Sequence, residues 1–155
     1  MKYTFLKIRF YKFCLAHAPP GWYIRLEINK NLLIMSNAIN WFELPSNNFE
    51  RAIKFYNEVL KADLQSMEMN GALMAFFPSD EKGVGGCIVK GEGYTPSEAG
   101  SLVYLNGGDD LSDPLSRVEA AGGSVIMPKT AIGENGYIAW FKDTEGNRVA
   151  LHSMN

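Results

Sequence analysis

Between residues 37 and 154 the pattern strand, helix, three strands occurs twice. A repeat of this kind restricts the chain more than its composition does, because each copy is one supersecondary unit whose apolar face must be buried against another. In the first copy, Asn37 to Leu44 reads as a strand rich in large apolar residues and stopped by Pro45, which cannot donate to a sheet ladder. Asn47 then caps a helix, with Glu50 three residues on in the capping-box position, and Phe49, Ala52, Ile53, Tyr56, Val59 and Leu60 share a helical face. Strands are expected at Leu64 to Met69, at Ala72 to Phe77 after the Asn70-Gly71 turn, and at Val84 to Lys90 after Lys82-Gly83.

The second copy opens with a strand at Ser101 to Leu105. Asp113 and Pro114 start its helix, which runs through Leu115, Val118 and Ala121 and stops at Gly122-Gly123. Strands follow at Ser124 to Met127, Tyr137 to Phe141 and Arg148 to His152. The copies are offset by 62 at Asn48 and Asp110, by 64 at Phe77 and Phe141 and by 63 at Gly83 and Gly146, so one or two short indels relate them. Gly91 to Pro96 reads as the linker between them. The acids Asp109, Asp110 and Asp113 are expected to cap the second helix, because their spacing lacks a calcium-loop pattern.

With 46% hydrophobic and 21% charged residues, the 155-residue chain has enough apolar material for one globular core. A formal net charge of -2 argues against nucleic acid as a partner. No apolar run approaches the roughly 18 residues needed to cross a bilayer. Cys14 and Cys87 lack metal-site or disulfide-framework spacing, which suits a reducing cytoplasm. The charge is unevenly spread, with six bases and one acid before Met35 against nine bases and sixteen acids from there onward. Residues 1–34 therefore read as a non-native or disordered extension, with Met35 as the start of a single domain over 35–155 containing modules 37–93 and 99–154. A secretory leader is the alternative, since Ala16-His17-Ala18 mimics a cleavage site, but Arg9 and Lys12 interrupt its apolar stretch and Pro19 follows directly.

Two motifs carry a family resemblance. Asn48-Phe49-Glu50-Arg51-Ala52-Ile53-Lys54-Phe55-Tyr56 and Asp143-Thr144-Glu145-Gly146-Asn147-Arg148-Val149 resemble the helix and turn signatures of the vicinal oxygen chelate superfamily, which contains glyoxalase I, bleomycin-resistance proteins and extradiol dioxygenases. The resemblance covers residues 37 to 154. It implies an α+β fold in which two tandem βαβββ modules curl a mixed sheet around a shared cavity, with a second subunit alongside as a homodimer. It does not fix a reaction, because one fold hosts many chemistries.

Metal chemistry in that family takes ligands from the first and last strands of each module. Here those positions fall on Trp41, on Gly86 or Cys87, on Val103 and on Ala150. At most one thiol donor remains among them, and one thiolate without partners does not hold a divalent ion, so no metal and no cofactor are expected.

Period two along the strands puts Trp41 with Glu43, Val103 with Leu105 and Ala150 with His152 on cavity-facing sides. The expected pocket is Trp41, Glu43, Phe76, Cys87, Leu105, Trp140 and His152, with Phe76 and Trp140 as aromatic walls for a planar or cationic ligand or as core. Glu43 and His152 are the candidate catalytic residues, a carboxylate and an imidazole able to act as general base; the alternative has them solvated or bonded to backbone at strand ends. Cys87 is either a reactive thiol or an inert strand residue. Three functions compete: a metal-free small-molecule binding protein, a metal-independent lyase or isomerase using Glu43 or His152, and a metalloenzyme whose ligands lie in another register.

Overall fold

The computed structural model describes residues 7–12, 22–27, 38–80 and 83–155; Cys14 and Met35 lie outside the described residues. The chain divides into two compact units, Met1–Ala38 and Ile39–Asn155. In the first, β1 (Lys7–Lys12) and β2 (Trp22–Glu27) pair as an antiparallel two-stranded sheet.

The second unit holds the duplicated pattern. Its first module is β3 (Trp41–Pro45), α1 (Phe49–Leu60), β4 (Gln65–Met69), β5 (Ala72–Phe76) and β6 (Gly85–Lys90). Its second is β7 (Tyr104–Asn106), α2 (Ser112–Arg117), β8 (Ser124–Ala131), β9 (Tyr137–Lys142) and β10 (Arg148–Ser153), with a short 3-10 turn at Gly133–Asn135. The sheets have one topology, β3-β6-β5-β4 and β7-β10-β9-β8. In each, the first and last strands pair in parallel and the rest antiparallel, giving two separate mixed sheets and no closed barrel.

Local chemistry explains the elements. The β4–β5 hairpin turns at Asn70 (φ 52) and Gly71 (φ 78), two successive left-handed residues as a tight two-residue hairpin requires. Gly85 and Gly86 each admit an aromatic ring from the parallel neighbour β3. A Cβ on Gly85 would stand 2.7 Å from the Trp41 ring, and one on Gly86 would run into Phe42 on the opposite side of the sheet.

Helix α1 is capped by Asn48, whose side chain accepts from the Arg51 N–H at 3.1 Å, rather than by Asn47. It buries Phe49, Ala52, Phe55, Tyr56 and Val59, while Ile53 and Leu60 are only partly covered. Phe55 stacks near Tyr56 and Phe141, so one α1 side chain joins its own module to the second. Helix α2 is half as long, six residues against twelve, and Leu111 at its N-cap offers no side-chain bond; Asp110 accepts from the Ser112 N–H instead.

One core runs through both modules. Leu44, Ile88 and Ala75 from the first sheet and Leu105, Leu151, Ala139, Phe141 and Val149 from the second join α1 in a single buried cluster. Both sheets thus spend their helix side on the core and present their other side outward. No helix among the described residues is long and apolar enough to cross a membrane.

Candidate functional site

The two family-like motifs meet each other. Glu145 accepts from the backbone N–H groups of Asn47 (2.9 Å) and Asn48 (2.7 Å) and from Arg51 Nε (2.8 Å), at the start of α1. A carboxylate suits unsatisfied helix N–H groups and the positive end of the dipole. Burial pushes the Glu145 pKa up, but the Arg51 bond and the Asn48 and Asn47 N–H groups outweigh it and leave the group below its ordinary value. Asp143 accepts from Tyr56 Oη at 2.8 Å and from the N–H groups of Glu145 and Asn147 and the Asn147 amide, each at 2.9 Å. Asn147 donates on to the Pro45 carbonyl at 2.7 Å. Burial, and then the Asp143 charge, hold the Tyr56 phenol well above its usual pKa. These residues clasp one module to the other and face no open volume.

Most of the site residues expected from the sequence lie on the outer sides of the sheets. Strand register places Glu43, Cys87 and Phe76 in one lateral row of the first sheet, and Tyr104, Ala150 and Trp140 in the matching row of the second. Around Glu43, Trp41 donates from Nε1 at 3.3 Å and its ring lies 6.0 Å from Phe76. Tyr94, from the linker, hydrogen-bonds the same carboxylate, which raises the phenol's pKa. Cys87 is a free thiol covered from water, and burial followed by the Glu43 charge pushes its pKa up to about 11. A neutral, covered thiol is a poor nucleophile, which favours the inert strand residue. In the second row, Trp140 Nε1 donates to Tyr104 Oη at 3.3 Å, and the Arg148 guanidinium lies 5.7 Å from the Trp140 ring centre.

One residue expected in the pocket, Leu105, lies elsewhere, as does Val103, expected on the same cavity-facing side. Leu105 pairs with Leu151 and belongs to the core, and Val103 packs against that core. Because side chains alternate, the outward residues of β7 are Tyr104 and Asn106, one residue out of the expected register. Tyr104, Tyr94 and Arg148 are the outer-face residues that sequence reasoning missed. Period two applied from Ala150 across the parallel pair would have found Tyr104, whereas the linker's approach to Glu43 leaves no periodic signal. His152 is on the same side as Arg148, four residues along, with Nε2 2.7 Å from the Asn135 carbonyl oxygen. Glu43 and His152 stand in different sheets.

The donor set does not fit the family's divalent ion. The four family positions carry the Trp41 indole, the buried neutral Cys87 beside Gly86, the core-packed Val103 and Ala150. Among the described residues no three His, Cys, Asp or Glu side chains converge.

Two clasped βαβββ modules, each with a four-stranded mixed sheet of the same topology, define the class of fold. Residues 38–151 match the Glyoxalase/Bleomycin resistance protein/Dioxygenase superfamily, and the chain belongs to that family. Among solved structures it is similar to glyoxalase I from Zea mays at 21% identity and TM-score 0.56, covering 74% of this chain and 45% of that one. This chain therefore spans about half the length of the maize enzyme. It is also similar to a trypanothione-dependent glyoxalase I of Leishmania major (16% identity, TM-score 0.56, 77% and 88% covered). TnmS3, an antibiotic binding protein from Streptomyces sp. CB03234, matches at 21% identity and TM-score 0.53, with 77% and 98% covered. No curated protein sequence matches this chain.

Proposed function

We propose that this chain binds a small aromatic or amphipathic molecule, without a metal, against the outer faces of its sheets. One observation carries the reading: in the rows that hold Cys87 and Ala150, two of the family's metal positions, these sheets present aromatic rings beside one carboxylate and one small apolar residue. Trp41, Phe76 and Tyr94 surround Glu43, and Tyr104 and Trp140 flank Ala150. Trp41 is 43% exposed and Tyr104 46%, an unusual cost for large rings unless something covers them. The antibiotic-binding relative supports the same reading. A second copy of the chain is the natural cover, since each sheet's helix side is already committed to the chain's own core, and a homodimer would close the cavity. A reducing cytoplasm is part of the proposal and agrees with the free Cys87 thiol.

Metal-independent proton transfer through Glu43 and His152 receives less support. The Glu43 carboxylate is engaged by Trp41 and Tyr94, and His152 uses Nε2 on the Asn135 carbonyl.

The test is a melting-temperature screen of the full chain against Ni²⁺, Zn²⁺, Mn²⁺ and Fe²⁺ and against a library of aromatic small molecules. A ligand at a hundredfold excess over Kd adds about 2.7 kcal/mol to apparent stability. The expected result is no metal response and a saturable rise with one or more aromatic compounds. A saturable metal response with stoichiometric metal would overturn the proposal, as would turnover that Glu43→Gln abolishes.

A further inference from the structure

We propose that Arg148, backed by Trp140, binds the oxyanion of a flat aromatic acid on the outer face of β10. This rests on the ligand-binding reading above and names the chemistry of one end of that ligand. The guanidinium lies over the Trp140 ring, and Arg148 Nε is buried with no hydrogen-bond partner among the described residues. Nε itself is out of reach of a ligand, but Arg148 as a whole is only partly buried and makes no ion pair among the described residues, so the outer N–H groups of its guanidinium are left for an absent acceptor. The Trp140 ring is 5.7 Å from the guanidinium, whose planar fork of N–H donors matches a carboxylate or phosphate edge.

The surroundings leave that fork free for a ligand. Lys142, paired with Arg148 across the β9–β10 ladder, is bound to Glu98, so this carboxylate is engaged elsewhere. Ala150, two residues along the strand, is fully covered, and the rings that flank it, Tyr104 and Trp140, bond to each other and offer a partly exposed aromatic surface beside the guanidinium for a planar group to lie on. The Tyr104 oxygen accepts from Trp140 Nε1, which leaves its own O–H available as a further donor. The first sheet's row carries Glu43 at the position matching Tyr104 and has no cation in that row, so only the second module's face suits an anion.

Isothermal titration of the full chain with 2-naphthoate, 2-naphthyl phosphate and neutral 2-naphthamide tests this. Wild type should bind at least one of the anions ten times or more tighter than the amide, and the tighter anion tells carboxylate from phosphate ester. Arg148→Gln should erase that preference by bringing the anions down to the affinity of the amide or below, and Arg148→Lys, the second variant should the glutamine form fail to fold, should keep only part of it. An anion advantage that persists in Arg148→Gln, or equal binding of all three probes by wild type, overturns the inference and leaves the broader binding reading intact. If none of the three binds, the inference falls, and the library screen judges the broader reading separately. A dimer lost equally in Arg148→Gln and Glu43→Gln also overturns it, because the guanidinium would then pair with a second copy.

Discussion

The helix side and the outer side of the two sheets come from the same strands and differ in what the duplication has kept. On the helix side, the row Leu44, Ile88, Ala75 of the first module corresponds to Leu105, Leu151, Ala139 of the second, nearly residue for residue. One layer of residues away, Glu43, Cys87, Phe76 correspond to Tyr104, Ala150, Trp140, and only the aromatic position is shared. Packing explains the first set, because a core close to crystal density tolerates little change of volume. The outer row is constrained less evenly, with Cys87 and Ala150 fully covered but Tyr104 46% exposed. The duplicated frame is thus uniform where it must be filled and different where it meets something else.

The clasp belongs to the constrained side, and its loss is the largest effect expected. Asp143→Ala removes the acceptor for Tyr56 Oη, two backbone N–H groups and the Asn147 amide, all buried or partly buried. The unpaired donors should cost about 3 kcal/mol or more, read as a lower urea midpoint. A loss below about 1 kcal/mol would mean that the motif is kept for the outer face and not for joining the modules.

Much of this frame was legible in the sequence. Eight strands and two helices of the duplicated unit were placed within a few residues, because strand alternation and the α1 stripe are local signals. The cap was misplaced by one position because the true partner of the Asn47 and Asn48 N–H groups is Glu145, 97 or 98 residues away, and no local pattern encodes it. The outer face was half legible. Trp41, Glu43, Phe76, Cys87, Trp140 and His152 follow from alternation, but β7 has only three residues, too short a period to fix its register, so Leu105 stood in for Tyr104.

Glu145 gives the intermediate effect and a sign in pH. Its pKa in the folded chain lies below the ordinary 4.5, so its contribution is present above that value and is lost as pH falls through the folded pKa. Glu145→Gln should cost about 1–2 kcal/mol near neutrality, from weakened bonds to Arg51 and the helix N–H groups. The variant's deficit should shrink in urea titrations carried below pH 4.5. A deficit constant with acid would place the contribution in packing instead of charge.

The smallest effect on stability belongs to the outer row, and this row sharpens the contrast most. Tyr104→Phe should leave the urea midpoint within about 0.5 kcal/mol of wild type, and Trp41→Ala, whose covered part packs on Gly85 and Phe76, should cost about 1–2 kcal/mol, less than Asp143→Ala. Tyr104→Phe also removes the acceptor for Trp140 Nε1, a bond at the solvent-facing side whose net worth is small. Trp41→Ala, which removes a ring, should weaken binding of whichever aromatic compound the melting screen finds by tenfold or more, while Tyr104→Phe, which loses only the hydroxyl, should weaken it less. Were either variant to lose as much stability as Asp143→Ala, the outer row would be structural, and the divergence between Glu43 and Tyr104 would reflect repacking between modules.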